Sequence, residues 1–317
     1  MSSRSHPASQ SDTSATPDSI DSQPDSGLVI VNYGKHMLVE DANGTLTRCV
    51  SRREAGNPVC GDRVRWTRTG DAEGVVESIE DRRTLLQRAV GESHYKPLAA
   101  NIDQVVIEAA TEPSFDSFLI DKYTVAAELA GTTPLIIINK EDLLGADTRR
   151  DIESLLQEYQ AIGYHCLFTS ALHNTGIDAF LAQLANKSSI LVGQSGVGKS
   201  SLIKRLLPDL EIATSKLSAA SGQGKHTTTA TTLYHLPDGG NLIDSPGVRD
   251  FHLGKVDPAE LGNGFREFHA WLGQCRFRDC LHRSEPDCAV LAAQQQGHIS
   301  ARRMESYRRL LELQGQA

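Results

Sequence analysis

The order of apolar and polar residues changes character twice along the chain. Between Gly27 and about Val90, short alternating segments are separated by the turn signals Asn43-Gly44, Asn57-Pro58 and Gly70-Asp71. These segments are Leu28–Tyr33, His36–Glu40, Leu46–Val50, Asp62–Thr67 and Gly74–Ile79. Alternation sends successive side chains to opposite faces of a strand, and several short strands in close succession predict a small barrel. An OB-like barrel leads, because that fold commonly presents a face to nucleic acid; an SH3-like barrel has the same periodicity. From about Ala99 to Phe251, apolar runs at Gln104–Ala110, Leu135–Ile138, Cys166–Thr169 and Ser189–Val192 alternate with helical stretches. Those stretches are Phe115–Leu129, Thr148–Ala161, Ile177–Leu184 and Lys199–Leu207. The alternation predicts a parallel sheet with helices on both faces. Leu217–Thr232, rich in Ser, Gly and Thr, reads as a mobile loop. From Phe251 onward the pattern is helical, interrupted by a Cys/His cluster, and Ile299–Leu313 has the spacing of a terminal amphipathic helix.

Length and composition refine this picture. A chain of 317 residues has room for two or three domains. Met1–Ser26 is rich in Ser, Asp, Gln and Pro, buries too little to offset its ordering entropy, and is expected to be disordered. It lacks the apolar stretch and basic start of a secretory signal, and no run approaches a membrane span, so a cytoplasmic chain without membrane contact is expected. The net charge of −8 argues against nucleic acid, but the acidity sits in the N-terminal segment and the middle of the chain. Arg52, Arg53, Arg63, Arg65, Arg68, Arg82, Arg83 and Arg88 cluster on one flank, and Arg276, Arg278, Arg283, Arg302, Arg303, Arg308 and Arg309 on the other. Local basic patches meet phosphates even on an acidic chain; a mixed solvated surface is the plainer explanation. Of six cysteines, Cys275, Cys280 and Cys288 gather around His282, which in a reducing compartment suggests metal ligation.

The candidate chemistry lies in the middle. Gly193-Gln194-Ser195-Gly196-Val197-Gly198-Lys199-Ser200 follows an apolar strand and opens a helix, the context a phosphate-binding loop requires. Its glycines let backbone N–H groups face the phosphates, Lys199 supplies charge, the Ser200 hydroxyl suits Mg²⁺, and Ser201 completes the start of the helix. Asn139-Lys140-Glu141-Asp142 follows the strand Leu135–Ile138. Asp142 can accept both N1–H and N2–H₂ of guanine, a pair that adenine lacks; Asn139 can bond the base edge or the loop, and the Lys140 stem can cover the ring. Thr169-Ser170-Ala171 fits a third piece whose backbone N–H meets the guanine carbonyl. Asp244-Ser245-Pro246-Gly247 would hold Mg²⁺ through water at Asp244 and meet the γ-phosphate at the Gly247 N–H. In Gly224-Lys225-His226-Thr227-Thr228-Thr229 one threonine can close on Mg²⁺; Thr228 is favoured, and spacing does not choose among the three. The base motif precedes the phosphate loop, the reverse of the usual order. Cys275, Cys280, His282 and Cys288 form C-x4-C-x-H-x5-C, a donor set for a closed tetrahedral Zn²⁺ site of structural role.

With these motifs, and with Asn101-Ile102-Asp103 and Glu112-Pro113-Ser114-Phe115, the chain from about residue 28 to 312 resembles the ribosome small-subunit-dependent GTPase A family (RsgA/YjeQ). The resemblance implies a circularly permuted P-loop GTPase flanked by an N-terminal OB domain and a C-terminal helical zinc domain. The corresponding division is a tail at 1–26, a barrel at 27–90, a GTPase domain at 91–251 and a zinc-binding domain at 252–317. It further implies GTP hydrolysis stimulated by the small (30S) subunit and a role late in that subunit's maturation. The expected partners are 16S rRNA and other assembly factors, and the chain itself is expected to be a monomer. Val248 stands where Ras-like enzymes place a water-orienting glutamine; the resemblance assigns that task to His226, which by its residue context alone is equally a solvated loop histidine. Lys225 replaces the family's usual arginine, keeping charge but losing a bidentate contact. Because DSPG leads within a few residues into the Cys/His unit, nucleotide state is expected to change how that unit sits. A kinase or ATPase, a signalling GTPase with a protein effector, and a non-enzymatic RNA-binding factor are the alternatives.

Overall fold

The structure, a computed structural model, describes residues 24–90, 94–112, 115–221, 230–245 and 254–315. Five strands, β1 (Asp25–Asn32), β2 (Met37–Glu40), β3 (Leu46–Ser51), β4 (Arg63–Arg68) and β5 (Glu73–Ile79), run in the order β1-β2-β3-β5-β4, and a β1–β4 pairing closes the barrel. Only β3 and β5 are parallel, the connectivity of an OB-like barrel. Alternation decides what faces inward. In β4 Val64 and Trp66 are buried while Arg63 and Arg65 point out. Val29, Met37, Val39, Cys49 and Val76 complete this core.

The chain then makes a hairpin of β6 (Leu85–Val90) and β7 (His94–Ala100), which the sequence pattern does not announce. Next come β8 (Gln104–Ala109), α1 (Ser117–Leu129), β9 (Thr133–Ile138), α2 (Ala146–Ile162), β10 (His165–Phe168), α3 (Ile177–Leu184), β11 (Ser188–Val192) and α4 (Lys199–Leu206). The predicted strands and helices of this region are present with ends shifted by a residue or two. Sheet order is β10-β9-β8-β11, all parallel. Near-continuous burial along β8 and β9 reflects cover on both faces. Local chemistry fixes the helix ends: Asp116 caps α1 by accepting from the Phe118 N–H at 2.9 Å, and Gly163 ends α2 in a left-handed conformation.

Leu217–Ser221 is not loop but the end of α5 (Leu210–Ser221), a helix whose weak periodicity hid it and which packs on β2 and β3 of the barrel. Residues 222–229 lie outside the described residues. They are followed by β12 (Thr232–His235), antiparallel to β13 (Asn241–Asp244), which is parallel to β11. On its other side β12 meets β1 at Val31–Thr232, so among the described residues one eleven-stranded sheet runs through the barrel and the α/β core.

The C-terminal unit is less helical than its pattern suggests. Short 3₁₀ turns at Leu261–Gly264 and Arg266–Phe268 precede α6 (Ala289–Gln295) and α7 (Ala301–Gly315). Met304, Tyr307 and Leu311 bury one face of α7 against Phe265 and Phe268. This unit is bolted to α1. Asp121, wholly buried, accepts from Arg302 Nη1 and Arg303 Nη1, each at 2.7 Å, and from the Tyr159 hydroxyl at 2.6 Å. Arg303 also holds Glu267 at 2.6 Å. No helix among the described residues is long and apolar enough to cross a membrane.

Candidate functional site

Three loops at the carboxyl ends of β9, β10 and β11 converge, and the side chain of Asn139 joins them. Its Nδ2 donates to the Val197 carbonyl of the phosphate loop at 3.1 Å and to Glu108 Oε1 at 2.9 Å. Its Oδ1 accepts from Thr169 Oγ1 at 3.3 Å and from the Ala171 N–H at 3.4 Å. Ligands of open α/β sheets bind at such strand ends. The rotated order of motifs therefore closes into one site, with Asn139 three positions before Asp142 and Val197 two before Lys199.

The phosphate loop is shaped by its glycines. Gly193, Gly196 and Gly198 have φ of 152°, 89° and 117°. A Cβ on Gly193 would overlap the Glu108 carbonyl, and one on Gly198 the Asn139 amide, so the loop lies against β8 and Asn139 only without side chains there. Lys199 folds back over the loop, donating to the carbonyls of Gly193 at 2.7 Å and Gln194 at 2.6 Å. Ser195 lies in the loop itself, Ser200 and Ser201 lie in the first turn of α4, and Val197 is buried.

In the base-reading loop, Lys140 takes a left-handed conformation, φ 58°, and its Nζ donates to the Glu112 carbonyl at 2.9 Å. Glu141 is held by Arg149 at 3.3 Å, and Arg149 in turn lies over the Phe168 ring. The Asp142 carboxylate accepts from the Ser170 hydroxyl, whose oxygen also accepts from the His173 N–H at 3.1 Å. Ser170 thereby orients the carboxylate expected to read guanine. Asp244 ends β13 beside β11, and the next hydroxyl, Ser245 Oγ, meets Thr231 Oγ1 at 2.7 Å. Asn139 and Ser170 thus bring the loops after β9, β10 and β11 together, and Asp244 ends the strand beside the one that feeds the phosphate loop. His226, Thr227, Thr228, Thr229 and Gly247 lie outside the described residues.

One participant escaped the motif reading. Glu108, in the apolar strand β8, is buried, and burial pushes its carboxyl up to about 7 against the pull of Asn139, Lys199 and Lys140. The signal in the sequence was a lone carboxylate inside a run otherwise built for the core.

A second cluster lies in the C-terminal unit. The ligand atoms of Cys275, Cys280, His282 and Cys288 all fall within 4.8 Å of one another. His282 Nδ1 is 3.5 Å from Cys275 Sγ and Cys280 Sγ and 3.3 Å from Cys288 Sγ, and Cys275 and Cys288 are 3.7 Å apart. A tetrahedral metal with sulfur at about 2.3 Å and nitrogen at about 2.0–2.1 Å has edges of roughly 3.5–3.8 Å. The donor set therefore fits a metal ion. Phe268 meets the imidazole edge-on and the Tyr307 ring lies beside it, walling the cluster with aromatic surface.

The chain is similar to known proteins over most of its length. A family model described as RsgA GTPase matches residues 79–254. A Chromohalobacter salexigens protein named small ribosomal subunit biogenesis GTPase RsgA is 47% identical over 290 residues, covering 90% of this chain and 85% of its own. A Haemophilus influenzae protein of the same name is 45% identical, with 90% and 84% covered. Among solved structures, YjeQ from Thermotoga maritima matches with a TM-score of 0.75 and 31% identity over 92% of this chain and 98% of its own. YloQ, described as a circularly permuted GTPase, matches with a TM-score of 0.75 and 27% identity over 95% and 98%.

Proposed function

The chain belongs to the RsgA GTPase family and is a GTP hydrolase, and from that premise we propose that it acts on the small (30S) ribosomal subunit during late maturation. The observation that carries the reading is the Asn139 side chain, which ties base-reading, carbonyl-reading and phosphate loops into one pocket.

In this reading Asp142, oriented by Ser170, accepts the two guanine N–H groups, the Ala171 N–H meets the guanine carbonyl, and the Lys140 stem lies over the ring. Backbone N–H groups from Gly193 to Lys199 surround the phosphates, with Lys199 as their cation. Ser200 and Thr228 would hold Mg²⁺, with Asp244 acting through water; the ion supplies charge neutralisation at the β- and γ-phosphates. Gly247 reports the γ-phosphate, and His226 orients the attacking water. In the C-terminal unit, three thiolates and an imidazole suit zinc, and four protein ligands leave it a structural role. The chain works as a cytoplasmic monomer against 16S rRNA, in the company of other assembly factors.

Nucleotide state governs binding and release through the anchors of the two switch segments. Residues 222–229 run between α5, which packs on the barrel, and β12, which pairs with β1. Residues 246–253 lead to Lys255, whose backbone N–H and carbonyl both bond the Tyr95 hydroxyl of the β6–β7 hairpin. The buried Asp121–Arg303 joint holds the C-terminal unit to α1, so the relay runs first to the barrel rather than through re-seating of that unit.

The test is GTP turnover against small-subunit concentration, with ATP and the large subunit as controls. Turnover should rise steeply with small subunits alone. Equal turnover with and without them rejects the proposal.

A further inference from the structure

Glu108 is an unexpected residue in a parallel strand buried on both faces. Its neighbours Val105, Val106 and Ile107 are apolar and buried, as such a strand requires. A carboxyl in that position costs stability unless something offsets it, and here only half of it is satisfied. Oε1 accepts from Asn139 at 2.9 Å, while Oε2 is buried without a hydrogen-bond partner among the described residues. The position serves something other than packing.

What it does locally is decide the orientation of one amide. Asn139 presents two donors on one side and an acceptor on the other. The donor side faces Glu108 Oε1 and the Val197 carbonyl; the acceptor side faces the Thr169 hydroxyl and the Ala171 N–H. A flipped amide would set its oxygen against two acceptors. Glu108 also touches the phosphate loop directly, since Gly193 and Gly198 leave room for its backbone and for the amide it holds. Lys199 and Lys140, one from each nucleotide loop, are the cations whose field acts on it.

We propose that Glu108 is a positioning residue for guanine specificity, holding the Asn139 amide in the orientation that fastens the base-reading loop to the phosphate loop. This rests on the guanine-nucleotide reading above. Glu108 touches no substrate atom in it; it acts through Asn139, so its loss spoils recognition of the base more than recognition of the phosphates.

The experiment uses the full chain, stripped of nucleotide, and measures displacement of a fluorescent GDP by GDP and by ADP. Glu108→Leu fills the strand position but removes the acceptor. It should weaken GDP binding by roughly tenfold, where the ranges for neutral and charged hydrogen bonds meet, and ADP binding by less than about threefold. Glu108→Gln, which keeps an acceptor toward Asn139, should recover most of the GDP affinity and the GDP-over-ADP preference. Adding Glu108→Leu to Asn139→Ala should cost little beyond Asn139→Ala alone, because the two act as one unit. A folded Glu108→Leu protein with the wild-type preference for GDP over ADP overturns the proposal, as does full additivity with Asn139→Ala. If Glu108→Leu does not fold, Glu108→Asp, which withdraws the oxygen by one methylene, takes its place with the same expectation and the same overturning result. Wild-type protein that binds ADP as well as GDP defeats the guanine reading itself; wild-type selectivity that survives in every variant defeats only the role of Glu108.

Discussion

Asn139 Nδ2 and the Val197 carbonyl lie 3.1 Å apart although 58 positions separate them in the chain. Because the same side chain also bonds Glu108, Thr169 and Ala171, its removal leaves several buried groups unpaired at once. Asn139→Ala should lower stability by about 1–3 kcal/mol for the unsatisfied groups and abolish tight guanine-nucleotide binding. Chemical denaturation and nucleotide titration on the same preparation check both.

Asp142→Asn exchanges an acceptor for an amide that also donates. Guanine then loses its paired acceptor, whereas xanthine, with a carbonyl in place of the 2-amino group, gains a donor. GDP affinity should fall by roughly a hundredfold and the xanthine nucleotide should become the better ligand. Competition binding with the two diphosphates reads the exchange; unchanged GDP preference would separate Asp142 from the base.

The nucleotide loops were legible because each motif is contiguous and sits at a strand end that hydrophobic runs already mark. The barrel strands were legible for the same reason, since Val64 and Trp66 alternate with Arg63 and Arg65. α5 was not, because Leu210–Ser221, although rich in Ala, Leu, Glu and Lys, lacks a clear apolar stripe and is held by contact with barrel strands distant in sequence. The Asp121–Arg303 pair was not, because its members are 182 positions apart and look like ordinary surface charges on two amphipathic helices. Glu108 was visible as an anomaly, but its meaning depends on a neighbour that only the folded sheet supplies.

Arg303→Met leaves Glu267 without its buried cation and Asp121 with Arg302 as its remaining cation. Breaking one side of such a buried pair costs about 3–5 kcal/mol. Thermal and denaturant unfolding should show that loss, and limited proteolysis should release the C-terminal unit, while GTP affinity changes little because no residue of the joint lies in the nucleotide loops.

Metal removal acts at a different place. The wild-type chain should contain about one equivalent of zinc, and chelation should unfold residues around Cys275–Cys288 while leaving the GTPase sheet intact. Elemental analysis together with hydrogen exchange distinguishes this from global unfolding. Cys280→Ser should reproduce the chelated pattern.

His235 and Glu40 link β12 to β2 at 2.7 Å. The bond from Glu40 raises the histidine above its ordinary 6.5, against the opposing effect of burial and with help from the Glu40 charge and Asn241. A raised folded-state value means that the folded state holds the proton more tightly than the unfolded chain. Its stabilisation is therefore complete below about 6.5 and fades as pH rises through the folded-state value. Melting temperatures measured across that interval should fall more steeply for wild type than for Glu40→Gln; parallel curves would show that the contact contributes nothing.

The pairing of Val31 with Thr232 has a consequence for anyone who would cut this molecule apart. A fragment that kept β8 through β13 and discarded the barrel would expose the outer rim of β12 as unpaired N–H and C=O groups. A bare rim of that kind recruits strands from neighbouring molecules. The catalytic core would then be prone to clump in the test tube, through the very seam that in the whole protein gives the barrel its grip on it.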